Sequence, residues 1–104
     1  MSEDILNLHP LLGERVRLAV MAALAATNEP VEFIKLEQTL EVTKGNLSSH
    51  LRKLEEGKLI KMHKNFIGRK PQTTYECTAQ GRKELDRYLV TVENTLKMMK
   101  ALKK

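Results

Sequence analysis

The residues best suited to chemistry in this 104-residue chain are small, polar and basic, and they recur between positions 43 and 57. Asparagine and arginine can make paired hydrogen bonds to purine edges, whereas serine and lysine mostly hold phosphate groups. A helix that offers such side chains near its N-terminus suits the major groove of DNA. An ordinary surface helix is the alternative that this segment alone leaves open. The residues concerned are Gly45, Asn46, Ser49, Arg52 and Lys53.

A helix must position these residues, and the sequence marks both of its ends. Thr43 is a good N-cap, because its hydroxyl can accept a hydrogen bond from a free backbone N–H. Gly57 can take the left-handed conformation that closes a helix. Between them Leu47, Leu51 and Leu54 recur at helical spacing and form one apolar stripe. The sequence therefore predicts an amphipathic helix that packs by its leucines.

Positive charge is concentrated in this helix and in the segment that follows it. The formal net charge of the chain is +5. Residues 1–42 carry −4, residues 43–70 carry +6 and residues 71–104 carry +3. A local basic surface of this kind favours a polyanionic partner, and a solvated charged face is the alternative.

Cysteine content and hydropathy exclude several classes of protein. Cys77 is the only cysteine, so one chain cannot form a disulfide framework or a thiolate zinc cluster. It alternates with Tyr75 toward the predicted core, which favours a buried structural thiol over a redox sensor. No apolar run approaches the roughly 18 residues of a membrane span, and the N-terminus is acidic, unlike a secretory signal. We therefore expect a cytoplasmic protein that does not interact with membranes.

A helix-turn-helix arrangement is predicted around this helix. The pattern is helical from Glu14 to about Ala26, and proline ends it at Thr27–Pro30 because proline disfavours helix in the residue before it. A very short strand at Val31–Phe33 and a short helix at Ile34–Leu40 follow. A turn of three or four residues then leads into the Thr43 cap. The inward residues of the short helix are predicted to be Leu36, Leu40 and either Phe33 or Ile34.

After Gly57 the apolar period changes from 3.6 toward 2, which predicts a β-hairpin. Its second strand runs from Thr73 to Cys77 and is rich in β-forming residues. The turn at Gly68–Pro71 carries two adjacent cations. In the first strand Ile60, Met62 and Phe66 share one face, and Lys61, His63 and Asn65 share the other.

A long last helix is predicted from about Ala79 to residue 102, with Thr78 as its N-cap. Five apolar residues in it step by 4, 3, 4 and 3, which is a heptad-like seam. The seam can pack on the domain's own first helix or on another subunit, and both can hold because so long a helix outreaches a small core. We predict a homodimer formed by this helix and the apolar N-terminal segment, which includes Ile5 and Leu6. The seam residues are Leu85, Leu89, Val92, Leu96 and Met99.

The order of these elements resembles the winged helix-turn-helix fold, and two segments look like those of ArsR/MarR-type transcriptional regulators. Leu47–Gly57 is similar to the recognition helix of that superfamily, and Gly68–Arg82 is similar to its wing and the entry into its last helix. The resemblance covers about residues 10–90 and is closest to small stand-alone winged-helix regulators. The length of the chain predicts one domain over residues 1–104. The resemblance implies that this domain is of α+β and mostly α class, with a two-stranded wing and a long C-terminal helix.

The resemblance also implies a function and a set of contact residues. In such proteins the recognition helix enters the major groove of double-stranded DNA, and the wing reaches the adjacent backbone or minor groove. The implied function is that of a sequence-specific transcriptional regulator, a dimeric repressor, whose effector the sequence does not identify. The cysteine pairs of metal-sensing members are missing from Phe33–Leu40, so no metal or other cofactor is expected. The residues that would face DNA are Lys44, Asn46, Ser48, Ser49, Arg52 and Lys53 on the helix, and Arg69 and Lys70 on the wing.

Two other functions are alternatives to DNA binding. Ser48, Ser49 and His50 could suggest a nucleophile and a base, but neighbouring residues on a helix point in different directions and no third orienting group is evident. We therefore expect no enzyme. A winged helix used for protein–protein contact in a larger assembly is the remaining alternative. It would need an apolar patch on the wing and recognition face, where the sequence places cations.

Overall fold

The computed structural model describes residues 7–103 and confirms the mostly helical α+β fold. Its elements follow one another in the predicted order, and a short 3-10 helix precedes the first α-helix. The elements are the 3-10 helix Pro10–Gly13, α1 Arg15–Ala25, β1 Val31–Glu32, α2 Phe33–Leu40, α3 Lys44–Glu56, β2 Ile60–Ile67, β3 Lys70–Cys77 and α4 Ala79–Leu102.

Helix α1 is closed at both ends by side chains. The Glu14 carboxylate accepts a hydrogen bond from the Arg17 backbone N–H at 2.8 Å and caps the first turn. At the other end the Arg82 guanidinium donates to the carbonyl oxygens of Ala25 and Thr27, each at 3.0 Å. These carbonyls lie at and just beyond the end of the helix, where intrahelical donors run out. Arg82 therefore also fixes the start of α4 against the end of α1.

Helix α2 is short, and its inward face is set by Leu36, which is buried. Phe33 is half-buried whereas Ile34 is 56% exposed, so Phe33 is the inward residue of the two that the sequence left open. Leu40 is half-buried, as expected. Glu41 then takes the left-handed conformation, with φ 54°, and ends the helix.

Of the two predicted caps of α3, the N-terminal one is confirmed and the C-terminal one is wrong. The Thr43 hydroxyl accepts a hydrogen bond from the Asn46 backbone N–H at 3.2 Å, which confirms the predicted N-cap. The prediction for Gly57 was wrong, because its φ is −78° and Lys58 takes the left-handed conformation with φ 63°. Leu11 packs closely on Gly57, since a Cβ at this position would lie 2.5 Å from Leu11 Cδ1.

The hairpin β2–β3 is part of a three-stranded antiparallel sheet in the order β1-β3-β2. Tyr75 of β3 lies opposite Val31 of β1 on one side and opposite Met62 of β2 on the other. The sequence predicted β1 and a two-stranded wing as separate features. The pairing of β1 with β3 was not predicted, because a strand of two residues is too short to indicate its partner. Ile60 and Met62 pack on the core, but Phe66 is 74% exposed because it lies beyond the core.

The hydrophobic core joins all four helices to the sheet. The leucine stripe of α3 lies at its centre, and Leu47, Leu51 and Leu54 are each at most 1% exposed. Every buried side-chain nitrogen or oxygen in residues 7–103 has a hydrogen-bond partner. The other core residues are Leu12, Val16, Val20, Met21, Leu24, Leu36, Leu59, Ile60, Tyr75 and Leu85.

Helix α4 extends well past the core. Its 24 residues span about 36 Å, and the molecule measures 62 × 25 × 21 Å. Leu85 is 5% exposed and belongs to the domain's own core. Ile5 and Leu6, predicted to cover apolar surface, lie outside the described residues. In the part of the chain that is described, α4 and the shorter helices all lack the length and apolar character needed to cross a membrane.

The seam residues of α4 other than Leu85 are exposed: Leu89 by 53%, Val92 by 38%, Leu96 by 51% and Met99 by 53%.

Candidate nucleic-acid interface

Helix α3 presents all six of its predicted contact residues to solvent. Its leucines anchor it in the core, so the helix cannot rotate without exposing them. The side chains between the leucines therefore form an outward polar face. The exposed residues of this face are Lys44, Asn46, Ser48, Ser49, Arg52 and Lys53.

The N-terminal turn of α3 is open and carries positive charge. It contains Lys44 and no acidic residue, and the aligned peptide dipoles add partial positive charge at this end. A Cβ built on Gly45 would meet nothing within 4 Å, so packing within the domain does not require glycine there. This end of α3 can hold a phosphate, and its backbone can be approached closely at Gly45.

The tip of the hairpin is a tight two-residue turn formed by Gly68 and Arg69. Gly68 has φ +64° and lies between Ile67 and Lys70, which are paired across the strands. A glycine with positive φ at the first turn position gives a twist that matches the flanking strands. The predicted turn at Gly68–Pro71 was therefore too long, and Lys70 and Pro71 belong to β3. Arg69 and Lys70 are both exposed, as predicted.

A groove of about 620 Å³ joins the recognition helix to the wing. Ser48 of α3 lies on one side of it, and Lys64 and Lys70 of the hairpin lie on the other. Glu32 stands at the β1 edge, where its Oε1 accepts a hydrogen bond from Gln72 Nε2 at 2.5 Å. The remaining lining residues are Phe33, Ile34, Met62, Ile67, Pro71, Thr73 and Tyr75.

The groove brings together only some of the predicted contact residues. Ser48 and Lys70 both line it, while Asn46 lies in a second, smaller depression of about 350 Å³ beside Arg15 and Glu41. Each of the two depressions thus includes one residue of α3. The outward face of α3 and the tip of the hairpin both carry exposed cations, and the groove lies between the two elements.

Comparison with known proteins identifies the family. The profile of the family described as winged helix DNA-binding domain matches residues 16–96. That span runs from α1 into the exposed part of α4 and includes every candidate DNA-contact residue. The chain belongs to this family.

Individual relatives agree with the assignment. An uncharacterised protein of Methanocaldococcus jannaschii is 34% identical over 77 residues, which are 74% of this chain and 83% of that protein. The solved structure of a transcriptional regulator homologue from Pyrococcus horikoshii has a TM-score of 0.78 and 34% identity, covering 86% of this chain and 87% of that one. Bacillus subtilis PadR, solved in complex with operator DNA, has a TM-score of 0.66, with 74% of this chain and 49% of that one covered. At 15% identity, this last likeness shows the fold alone.

One part of the recognition helix in this winged-helix protein faces inward and is held by α1. His50 is half-buried, and its Nδ1 lies 3.1 Å from Arg17 Nη1 and 3.6 Å from Glu14 Oε1. Burial opposes ionisation of Glu14, but the hydrogen bond from the Arg17 backbone N–H and the charges of His50 and Arg17 together lower the pKa of this carboxyl. The half-buried ring and these contacts support a packing role for His50. Its partners could not be found from sequence because they lie 33 and 36 positions away.

Cys77 has the surroundings of a structural thiol. It is half-buried, and its S–H group lies 3.5 Å from the Thr78 carbonyl oxygen. Burial raises the pKa of the Cys77 thiol, which keeps it in the less reactive protonated form.

The three histidines do not come together. His9, His50 and His63 lie on separate elements, and the described residues contain no group of three or more His, Cys, Asp or Glu able to hold a metal ion.

Proposed function

We propose that this protein is a sequence-specific, double-stranded DNA-binding transcriptional regulator of ArsR/MarR type, acting in the cytoplasm as a homodimeric repressor. The observation that carries the proposal is the exposed polar and basic face of α3 together with the exposed wing cations Arg69 and Lys70. Ser48 of α3 and Lys70 of the wing line the same groove. The PadR structure with operator DNA adds a fold neighbour whose bound partner is duplex DNA. Residues 1–104 are taken as one functional domain.

Each contact residue is given a role from its chemistry. Asn46 and Arg52 are assigned to base edges in the major groove, because both can form paired hydrogen bonds to purines. The other polar residues of the α3 face, and Arg69 and Lys70 on the wing, are assigned to phosphates and neighbouring backbone. Repression follows if bound protein occludes a promoter.

The dimer is assigned to α4. A stripe that includes Leu89, Leu96 and Met99 is more than half exposed in one copy of the chain, and a two-fold pair would cover it. The predicted interface then begins at Leu89, because Leu85 is already used by the domain core. Two copies would also present two recognition helices to successive half-sites of an operator.

One observation favours the alternative of a protein–protein interaction module. Ile34, Phe66 and Ile67 are 56%, 74% and 63% exposed, and Ile34 and Ile67 line the groove between α3 and the wing. An adaptor would use such apolar residues for a partner protein. They are surrounded by cations, however, and residues 43–70 hold eight Lys and Arg against two Asp and Glu. DNA therefore remains the proposed partner.

Selection of bound duplexes from random or genomic DNA tests the function and finds the operator in one experiment. Binding to the recovered duplex should weaken with salt, with log K falling by about 0.9 per log unit of salt for each phosphate neutralised. An adaptor would recover no preferred sequence and would show a shallow salt dependence. Failure to bind any duplex at low salt would refute the proposal.

A further inference from the structure

We propose that Phe66 is an apolar wedge, which enters the minor groove beside the wing and partly unstacks one base step. The inference rests on the DNA-binding function proposed above and adds a mode of recognition to it. Phe66 is 74% exposed and, among the described residues, only Leu102 is a more exposed large apolar side chain. An aromatic residue so exposed at the end of a hairpin requires an explanation outside the domain's own packing.

The core cannot reach Phe66. Ile60 and Met62 occupy the same strand face and pack on the core, but Phe66 lies four residues beyond Met62, roughly 13 Å along the strand. Its partner across the hairpin is Pro71, which is exposed as well. The two residues make a small apolar tip that no other described part of the chain covers.

The hairpin holds this tip in a defined position. The strands pair in register from Ile60 opposite Cys77 to Ile67 opposite Lys70, without interruption. Pro71 has a fixed φ, and the two-residue turn adds no loose chain. Phe66 is therefore presented one residue before the last strand pair, at the end of the wing that the proposed function places against DNA.

The charge around the tip identifies the occupant as DNA. Residues 57–75 hold five Lys and Arg and no Asp or Glu, and Lys64, Arg69 and Lys70 are exposed beside Phe66. A second copy of the same tip would be repelled by this charge. Duplex DNA offers phosphates for the cations and, between its base pairs, an apolar stack into which proteins insert side chains from the minor groove.

The test uses the duplex recovered by selection, labelled at both ends for energy transfer, with wild-type protein and three variants. Phe66→Ser removes the wedge, Phe66→Leu keeps an apolar one, and Met98→Ser is the control at an exposed apolar residue of α4 that lies outside the groove and the seam. Affinity, salt dependence and DNA bending are measured for each. A series of duplexes with one mismatch at successive steps is measured as well, because a mismatch lowers the cost of unstacking at that step.

We expect wild-type protein and Phe66→Leu to bend the duplex and to bind best when the mismatch lies at one particular step. Phe66→Ser should lose the bend and that preference and bind roughly tenfold more weakly. Its salt dependence should not change, because no cation is lost, and Met98→Ser should bend DNA like the wild type. Bending by Phe66→Ser equal to that of wild type, or binding without any bend by wild type, would overturn the wedge while leaving the proposed function in place. Failure of wild type to bind any duplex would refute both, and a change of oligomeric state in Phe66→Ser would assign Phe66 to contact between copies instead.

Discussion

At the scale of single residues, the outward face of α3 contains groups suited to base edges and groups suited to phosphates. Arg52 and Lys70 represent the two classes, and both are exposed in the free protein. We expect Arg52→Ala to cost about 1–3 kcal/mol on the selected site and to relax its sequence preference. Lys70→Ala should weaken selected and random duplexes by the same factor and reduce the salt slope by about 0.9. Equal losses on selected and random DNA for Arg52→Ala, measured by titration, would remove the base-reading role.

Also at the residue scale, Glu14 makes folding sensitive to acid. The pKa of the Glu14 carboxyl is lowered in the folded protein. The ionised carboxylate therefore stabilises the fold above the unfolded-state pKa of 4.5. This stabilisation is lost as the pH falls through the lower pKa of the folded state. We expect Glu14→Gln to lower the free energy of unfolding by about 0.5–1 kcal/mol at neutral pH, where the ionised cap is lost. Urea unfolding at pH 7 and at about pH 3.5 would show the difference shrinking in acid. A difference independent of pH would mean that the charge of Glu14 is not what stabilises the fold.

At the scale of elements, the joint between the sheet and α4 depends on the absence of a side chain at Gly81. The Thr78 hydroxyl accepts from the Gly81 N–H at 2.9 Å and donates to the Lys58 carbonyl oxygen at 2.8 Å, which ties the start of α4 to the chain before β2. A Cβ on Gly81 would overlap the Leu59 carbonyl oxygen, a backbone atom that cannot move cheaply. We expect Gly81→Ala to destabilise the fold by about 1–3 kcal/mol despite the better helix propensity of alanine.

Gly45→Ala is the matched control for that substitution. It makes the same change, glycine to alanine, in another helix, where a Cβ meets nothing within 4 Å. It should therefore stabilise the fold by about 0.5–1 kcal/mol. Denaturant unfolding of both variants gives the comparison. If Gly81→Ala were as stable as Gly45→Ala, the close approach of α4 to Leu59 would not be a constraint.

The elements also show which features sequence alone can predict. The N-terminal caps set by neighbouring residues were predicted correctly, at Thr43 and at Thr78, after which α4 begins at Ala79 as expected. The left-handed C-terminal cap of α3 at Gly57 and the length of the hairpin turn were not. Features set by distant contacts were not. The pairing of β1 with β3 and the close approach of Leu11 to Gly57 depend on parts of the chain that meet only after folding. The outward face of α3 could be predicted because the spacing of its leucines determines which side of the helix is buried. The groove beside it could not, because its lining residues come from several elements that meet only after folding.

At the scale of the whole molecule, the chain combines the polar and basic outward face of α3 with a long helix, α4, that extends past the core. The exposed apolar stripe of α4 lies beyond the domain core, and a lone helix does not bury such a stripe in water. Leu89, Leu96 and Met99 are each more than half exposed. Pairing of two copies along α4 would remove this surface from water and would fix the distance between two recognition helices.

Leu96→Glu tests this assembly, because Leu96 lies near the middle of the exposed stripe and is 51% exposed in one copy. The carboxylate would face apolar side chains in the dimer without a partner, and the free energy needed to desolvate it opposes association. Asn94→Glu is the matched control, since it adds the same charge to an exposed position of α4 outside the stripe. We expect wild type and Asn94→Glu to sediment as dimers and Leu96→Glu to sediment as a folded monomer. The monomer should bind the selected duplex much more weakly, because it can no longer occupy two half-sites at once, although each α3 is unchanged. A wild type that sediments as a monomer at micromolar concentration would refute the dimer, and the exposed stripe would then need a different partner.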